Sequence, residues 1–189
     1  RSGLRSWKKK ALEEYEQIEF DPTLYGIEQK LARTLHRSTQ FGIIAARGAM
    51  EHSGIDFSQV DVSRLDILVA TGIGGGTELE EVRAAYIERR QNEGAEKAGR
   101  RIDLRVVPKV MANRTAFEIS KLPILQLQDR VLHETAAYAS ACNSFLSALQ
   151  HQVYAIQGGA ADLGIVVGTE STLSKVTVGG FGNMGATVT

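Results

Sequence analysis

Apolar and polar positions along this chain fall into blocks that read as strands followed by helices. From Gly26 to Ser53 the apolar residues Leu31, Leu35, Phe41, Ile44, Ala45 and Ala49 recur at helical spacing, and Ser53-Gly54 ends the run. Leu65-Asp-Ile-Leu-Val-Ala70 is a compact β-type run that breaks into Thr71-Gly-Ile-Gly-Gly-Gly76. Thr77 then opens a second helix that continues to about Arg90, with Glu80 three positions on as in a capping box. Residues 91–105 are polar and read as a loop. Pro108 to Ser120 reads as an extended approach followed by a helix, and Arg130 to Ser140 as a second strand. Asn143 to Gln157 reads as a third helix, stopped by Gly158-Gly159, and Leu163-Gly-Ile-Val-Val167 as a third strand. Near the start, residues 7–19 are charged and fit either a short surface helix or a loop, before a turn at Asp21-Pro22.

A short strand that is apolar throughout is expected where helices cover both faces of a sheet. Strands alternating with helices argue for an α/β fold with a mostly parallel sheet. The 189 residues suffice for one large domain or for half of a larger one. The chain opens on Arg1 and stops within a glycine-rich stretch, so it is expected to be incomplete at both ends.

Composition narrows the function classes. A hydrophobic content of 43% with 19 glycines suits an ordinary globular α/β protein. Lys and Arg number 22 against 22 Asp and Glu, so no strong global field attracts nucleic acid or an anionic membrane. No run approaches the roughly 18 apolar residues of a membrane span, and no signal peptide opens the chain. A reducing, cytoplasmic compartment is expected.

Three features could carry chemistry. The glycine run Gly72-Ile-Gly-Gly-Gly76 has Thr77 where the third glycine of a dinucleotide fingerprint should stand, and no Gly-Lys-Ser/Thr follows. It reads as a tight strand-to-helix turn lining a pocket rather than a nucleotide cradle. The histidines His36, His52, His133 and His151 show no metal-ligand spacing among themselves or with Cys142, and no metal is expected. His151, nine positions beyond Cys142 on the same helix, is too far along it to act as its base. The third feature is Thr135-Ala-Ala-Tyr-Ala-Ser-Ala-Cys142-Asn-Ser-Phe145, where a segment of small, β-prone residues hands over to an amphipathic helix at the only cysteine of the chain. A helix N-terminus carries partial positive charge, which favours a thiolate over a thiol. Small neighbours leave room for a substrate carbonyl to reach the sulfur. A nucleophilic cysteine usually works with a nearby base, and no strong candidate stands out in the sequence.

Taken together, these segments resemble the β-ketoacyl synthases, the condensing enzymes of fatty-acid and polyketide synthesis. Arg1-Ser-Gly-Leu4 is similar to the family's "SGI" segment, and Gln40-Phe-Gly42 with the helix to Gly54-Ile55 to its "DAGL" helix. Val69-Ala-Thr-Gly-Ile-Gly-Gly75 resembles "GSGIGG", and Pro108-Lys-Val-Met-Ala-Asn113 resembles "P..MAN". Ser140-Ala-Cys142 matches the nucleophile motif "TAC" apart from its first residue. Gly159-Ala-Ala-Asp162 with Gly168-Thr-Glu170 is similar to "GDAD…GGAE", and Gly179-Gly-Phe181 to "GGF". Seven segments in family order span nearly the whole chain.

The resemblance implies a thiolase-like fold, layered helices around a mixed, mostly parallel sheet, of which this chain is the N-terminal half. It implies that Cys142 accepts an acyl group from a phosphopantetheine thioester, and that a malonyl thioester then loses CO₂ and attacks the acyl-enzyme. Two histidines and a second oxyanion donor would come from a C-terminal half. Ile73 and Phe181 would line the acyl pocket, and Asn143, where the family usually has Ala, Thr or Gly, would alter it. Lys30 and Arg33 match a basic surface that docks the acidic acyl carrier protein. No cofactor is implied beyond the carrier's phosphopantetheine, and the assembly would be a homodimer or a heterodimer with another ketosynthase-like chain. At Phe117-Glu118 the family commonly has Gly-His, and more residues than usual separate Asn113 from Cys142. The alternative is a non-catalytic, chain-length-factor-like partner subunit. Such subunits typically lack the cysteine.

Overall fold

The computed structural model describes residues 19–127 and 130–186. The segment Arg1-Ser-Gly-Leu4 and all but the last residue of the charged stretch 7–19 lie outside the described residues. In chain order the helices are α1 (Gln29–Ala32), α2 (Arg37–Ser53), α3 (Gly76–Glu93), α4 (Ala95–Arg100), α5 (Val106–Val110), α6 (Arg114–Ser120), α7 (Ser144–Gln157) and α8 (Lys175–Asn183). The strands are β1 (Leu65–Ala70), β2 (Glu134–Tyr138) and β3 (Leu163–Gly168), in the spatial order β2-β1-β3. Among the described residues both pairings are parallel.

All six residues of β1 are buried, because helices cover the sheet on both faces. Leu65, Ile67 and Val69 enter one core with Ile43, Ala46 and Met50 of α2 and Ala116 and Ile119 of α6. Leu68 and Ala70 point the other way, to Ala148 of α7. Period-two alternation thus sends one strand into two cores. Each buried aliphatic side chain contributes about 1.5–3 kcal/mol relative to exposure.

Polar groups fix the strand starts. The Arg64 Nε and NH2 groups both donate to the Asp162 carboxylate at 2.7 Å, and NH2 also donates to the Gly159 carbonyl at 2.8 Å. This fork joins the start of β1 to the start of β3. On the other side, His133 Nδ1 lies 2.7 Å from Oδ1 of the fully buried Asp66, joining β2 to β1.

Several elements depart from the sequence reading, each for a local reason. The run from Gly26 to Ser53 is not one helix. Thr34 turns its hydroxyl onto the Leu31 carbonyl at 2.7 Å, and His36 then caps a fresh start at Arg37. The stretch 91–105 is not a loop throughout, since α3 runs on to Glu93 and Gly94 (φ 86°) turns the chain into α4. Ala98 is buried there, and Glu96 pairs with Arg100 one turn on at 2.7 Å. Pro108 lies in the first turn of α5, where its missing N–H costs nothing, so the approach to Asn113 is helical rather than extended. Thr77 forms no capping box with Glu80. Gly75 is the N-cap of α3, and the Thr77 hydroxyl faces His36 instead. The strand expected over Arg130 to Ser140 is trimmed to Glu134–Tyr138.

Two glycines give opposite expectations. A Cβ at Gly75 would come within 2.5 Å of Val110 Cα and 2.8 Å of the Lys109 carbonyl oxygen, both backbone atoms. Gly75→Ala should therefore destabilise by about 1–3 kcal/mol in denaturant unfolding. Gly48 lies inside α2 with nothing near its Cβ position, so Gly48→Ala should stabilise by about 0.5–1 kcal/mol.

Candidate active site

The parallel register sets Ala70 level with both Tyr138 and Gly168, so three chain segments leave the sheet side by side. Thr71 N–H donates to the Tyr138 carbonyl at 3.0 Å, and Thr169 N–H to the Ala70 carbonyl at 2.9 Å. Beyond these bonds the first segment becomes the glycine loop, the second the cysteine turn and the third the stretch holding Glu170.

Cys142 is exposed in a 3₁₀ turn, Ala141–Asn143, that joins β2 to α7. The α-helix itself begins at Ser144, two residues later than the cysteine. Ala141 adopts φ 51°, a left-handed conformation that costs a non-glycine residue roughly 1–2 kcal/mol. The turn is held by one hydroxyl. Ser144 Oγ, almost fully buried, accepts from Ser140 N–H at 2.7 Å and lies 2.6 Å from the Ala141 carbonyl and 2.9 Å from the Thr71 carbonyl. Among the described residues none accepts a hydrogen bond from the Cys142 N–H. That N–H, at the leading end of a 14-residue helix, can face an oxyanion forming on a carbonyl attacked by the sulfur.

The glycine loop lies against this turn. A Cβ at Gly72 would sit 3.7 Å from the Ala141 carbonyl oxygen. Glu170 also holds the loop: Oε2 accepts from Gly72 N–H at 2.7 Å, Ile73 N–H at 2.9 Å and the Thr71 hydroxyl at 3.2 Å. The Thr71 hydroxyl in turn accepts from Gly74 N–H at 3.0 Å. A carboxylate in a cradle of backbone N–H groups is a strong, charge-assisted arrangement.

Of the residues singled out in the sequence, Cys142 and Asn143 share the turn, and Ile73 follows Gly72 in the loop that lies against it. Ile73 is half exposed, and the Asn143 amide reaches Ser147 Oγ at 3.3 Å. Phe181, partly exposed on α8, has no hydrogen bond or ring contact to the cysteine turn among the described residues. Lys30 and Arg33 are exposed on and just after α1, and no described carboxylate pairs with either. Ser144 and Glu170 were missed as site residues. The available signal was an acidic residue directly after an apolar strand, opposite a glycine run rich in bare N–H groups.

Three of the four histidines are engaged elsewhere. His36 Nδ1 accepts from Ser38 N–H at 3.3 Å and its Nε2 lies 2.5 Å from Thr77 Oγ1, while His133 and His151 face Asp66 and Glu134. None is hydrogen-bonded to Cys142 among the described residues, and no described group of three or more His, Cys, Asp and Glu could hold a metal ion. His36 ties the N-terminus of α2 to the first turn of α3, just past the glycine loop. Burial lowers its pKa below 6.5, against the opposing pull of Glu78 and Glu170. The unfolded chain therefore binds the proton first, and the stability His36 contributes is complete above about pH 6.5 and lost as pH falls below it. Thermal unfolding followed between about pH 7.5 and 5.5 should show this loss, and His36→Asn, which keeps a cap without a titrating group, should flatten it.

Comparison with known proteins identifies the family and the fold. The family model described as "Beta-ketoacyl synthase, N-terminal domain" matches residues 4–189. The ketoacyl synthase alpha subunit of the tetracenomycin polyketide synthase from Streptomyces glaucescens is 26% identical over 90% of this chain and 38% of its own length. The 3-oxoacyl-[acyl-carrier-protein] synthase 2 of Vibrio cholerae is 28% identical over 86% of this chain and 36% of its own. The chain thus spans less than two fifths of these relatives. Among solved structures, the ishigamide ketosynthase/chain length factor superposes with a TM-score of 0.69 at 18% identity, over 90% of this chain and 39% of that one. A type II polyketide ketosynthase in complex with its acyl-carrier protein gives 0.57 at 19%, over 84% and 43%. The fold is that of the ketosynthases, and the chain belongs to the β-ketoacyl synthase family.

Proposed function

We propose that Cys142 is the acyl acceptor of a β-ketoacyl synthase. The observation that carries the reading is an exposed cysteine at a strand-to-helix junction, with its own N–H unengaged among the described residues and the glycine loop beside it. The Cys142 thiolate adds to the carbonyl of a carrier-bound acyl thioester. Collapse of the tetrahedral adduct breaks the bond to the carrier sulfur, which leaves as a thiolate, and the acyl group stays on Cys142. A malonyl thioester then loses CO₂, and the resulting carbanion attacks the Cys142 thioester. A carbon–carbon bond forms, the bond to Cys142 breaks and the thiolate is regenerated. The groups that assist decarboxylation are assigned to the part of the synthase outside this chain.

The same reading gives Ile73 and Phe181 to the acyl pocket, sets Asn143 beside it, and makes Lys30 and Arg33 a docking point for the acidic carrier. The substrates arrive on the carrier's phosphopantetheine, and the partner is a second ketosynthase-type subunit, identical or not. No described helix is long and apolar enough to cross a membrane.

Intact-protein mass spectrometry after incubation with an acyl carrier thioester should show one acyl adduct, absent from Cys142→Ala. A wild-type protein that takes no adduct would instead fit the non-catalytic partner subunit. Reversing Lys30 and Arg33 to Glu should raise KM for the carrier-bound thioester and leave a small-thiol thioester nearly unaffected, an effect that added salt diminishes.

A further inference from the structure

We infer that Ser144 is a positioning residue that couples the cysteine turn to the glycine loop, and so sets where Ile73 stands relative to the acyl group. The inference rests on the reading of Cys142 as acyl acceptor. Its evidence is a count of protons. Ser144 Oγ accepts the Ser140 N–H and has one hydrogen to give, yet two carbonyl oxygens lie within reach, Ala141 at 2.6 Å and Thr71 at 2.9 Å. Given to Ala141, the hydrogen closes the cysteine turn on itself. Given to Thr71, it ties that turn to the first residue of the glycine loop, 73 positions away in sequence.

The loop is held a second time by Glu170, through Gly72 N–H, Ile73 N–H and the Thr71 hydroxyl. Ser144 and Glu170 are therefore two brackets on one short segment, and Ile73 is the residue in it with a large, half-exposed apolar side chain. Thr71 engages both brackets, its carbonyl with Ser144 and its hydroxyl with Glu170. Losing the Ser144 bracket frees the loop to shift by the small distances that alter the depth of an apolar pocket. The cost should then depend on acyl length, because only longer chains reach the displaced side chain.

The test uses the intact protein with Ser144→Ala and, as a second variant that leaves α7 untouched, Glu170→Gln. Hydrogen exchange should rise about tenfold over residues 71–76 in either variant while β1 stays protected. Acylation of Cys142 by N-acetylcysteamine thioesters from butanoyl to dodecanoyl should change its rate ratio between short and long chains by about tenfold in Ser144→Ala. Unchanged exchange over 71–76 in both variants overturns the coupling. Increased exchange with all acyl lengths slowed equally overturns the role in specificity. Failure of the wild type to be acylated at all counts against the acyl-acceptor reading, and leaves the exchange comparison to decide the coupling alone.

Discussion

Parallel pairing around one fully buried strand is the constraint on which the site depends. Because Ala70 stands level with Tyr138 and Gly168, the loops that follow are delivered to the same end of the sheet at the same height. In open α/β sheets that end is where crevices form. Here it collects a run of glycines, a cysteine turn and a carboxylate, none of them near the others in sequence. A slip of one residue along either pairing would turn that strand's side chains to the opposite face and dissociate the group.

The chemistry built on that frame relies on backbone groups more than on side chains. In the proposed reading Cys142 supplies the sulfur, and its own N–H, unengaged among the described residues, meets the developing negative charge. The glycine loop spends its N–H groups on Glu170 instead. The carboxylate thus rigidifies a segment whose glycines would otherwise make it floppy, and the cost of immobilising flexible backbone is met by charge-assisted bonds. Bareness at Gly75 matters for a different reason, since the α5 backbone passes too close for any side chain.

Much of this was legible in the residues. The uniformly apolar run Leu65–Ala70, the glycine break after it and the cysteine at a strand-to-helix boundary each rest on local pattern, and each is found where the pattern put it. What escaped was set by contacts distant in sequence. Nothing local distinguishes Thr77 as a partner for a histidine 41 positions earlier rather than as a cap for its own helix. The division of the Gly26–Ser53 run depends on the Thr34 hydroxyl and the His36 ring taking over helix-end bonds, which apolar spacing does not register. Ser144 looked like one more small residue beside the cysteine, and its importance lies in the two carbonyls that the fold brings to it.

The clamps at the far end of the sheet carry a consequence for tolerance to change. Arg64 grips Asp162, and Asp66 grips His133, so both flanking strands are indexed to β1 at their beginnings by polar contacts. The excursion between β1 and β2 therefore leaves and rejoins the sheet at fixed points, and Ala116 and Ile119 of α6 within it stay part of the core. The α5 backbone passing Gly75 and the core face of α6 hold that arm to the glycine loop and the sheet, so change in it is confined to the positions that face water.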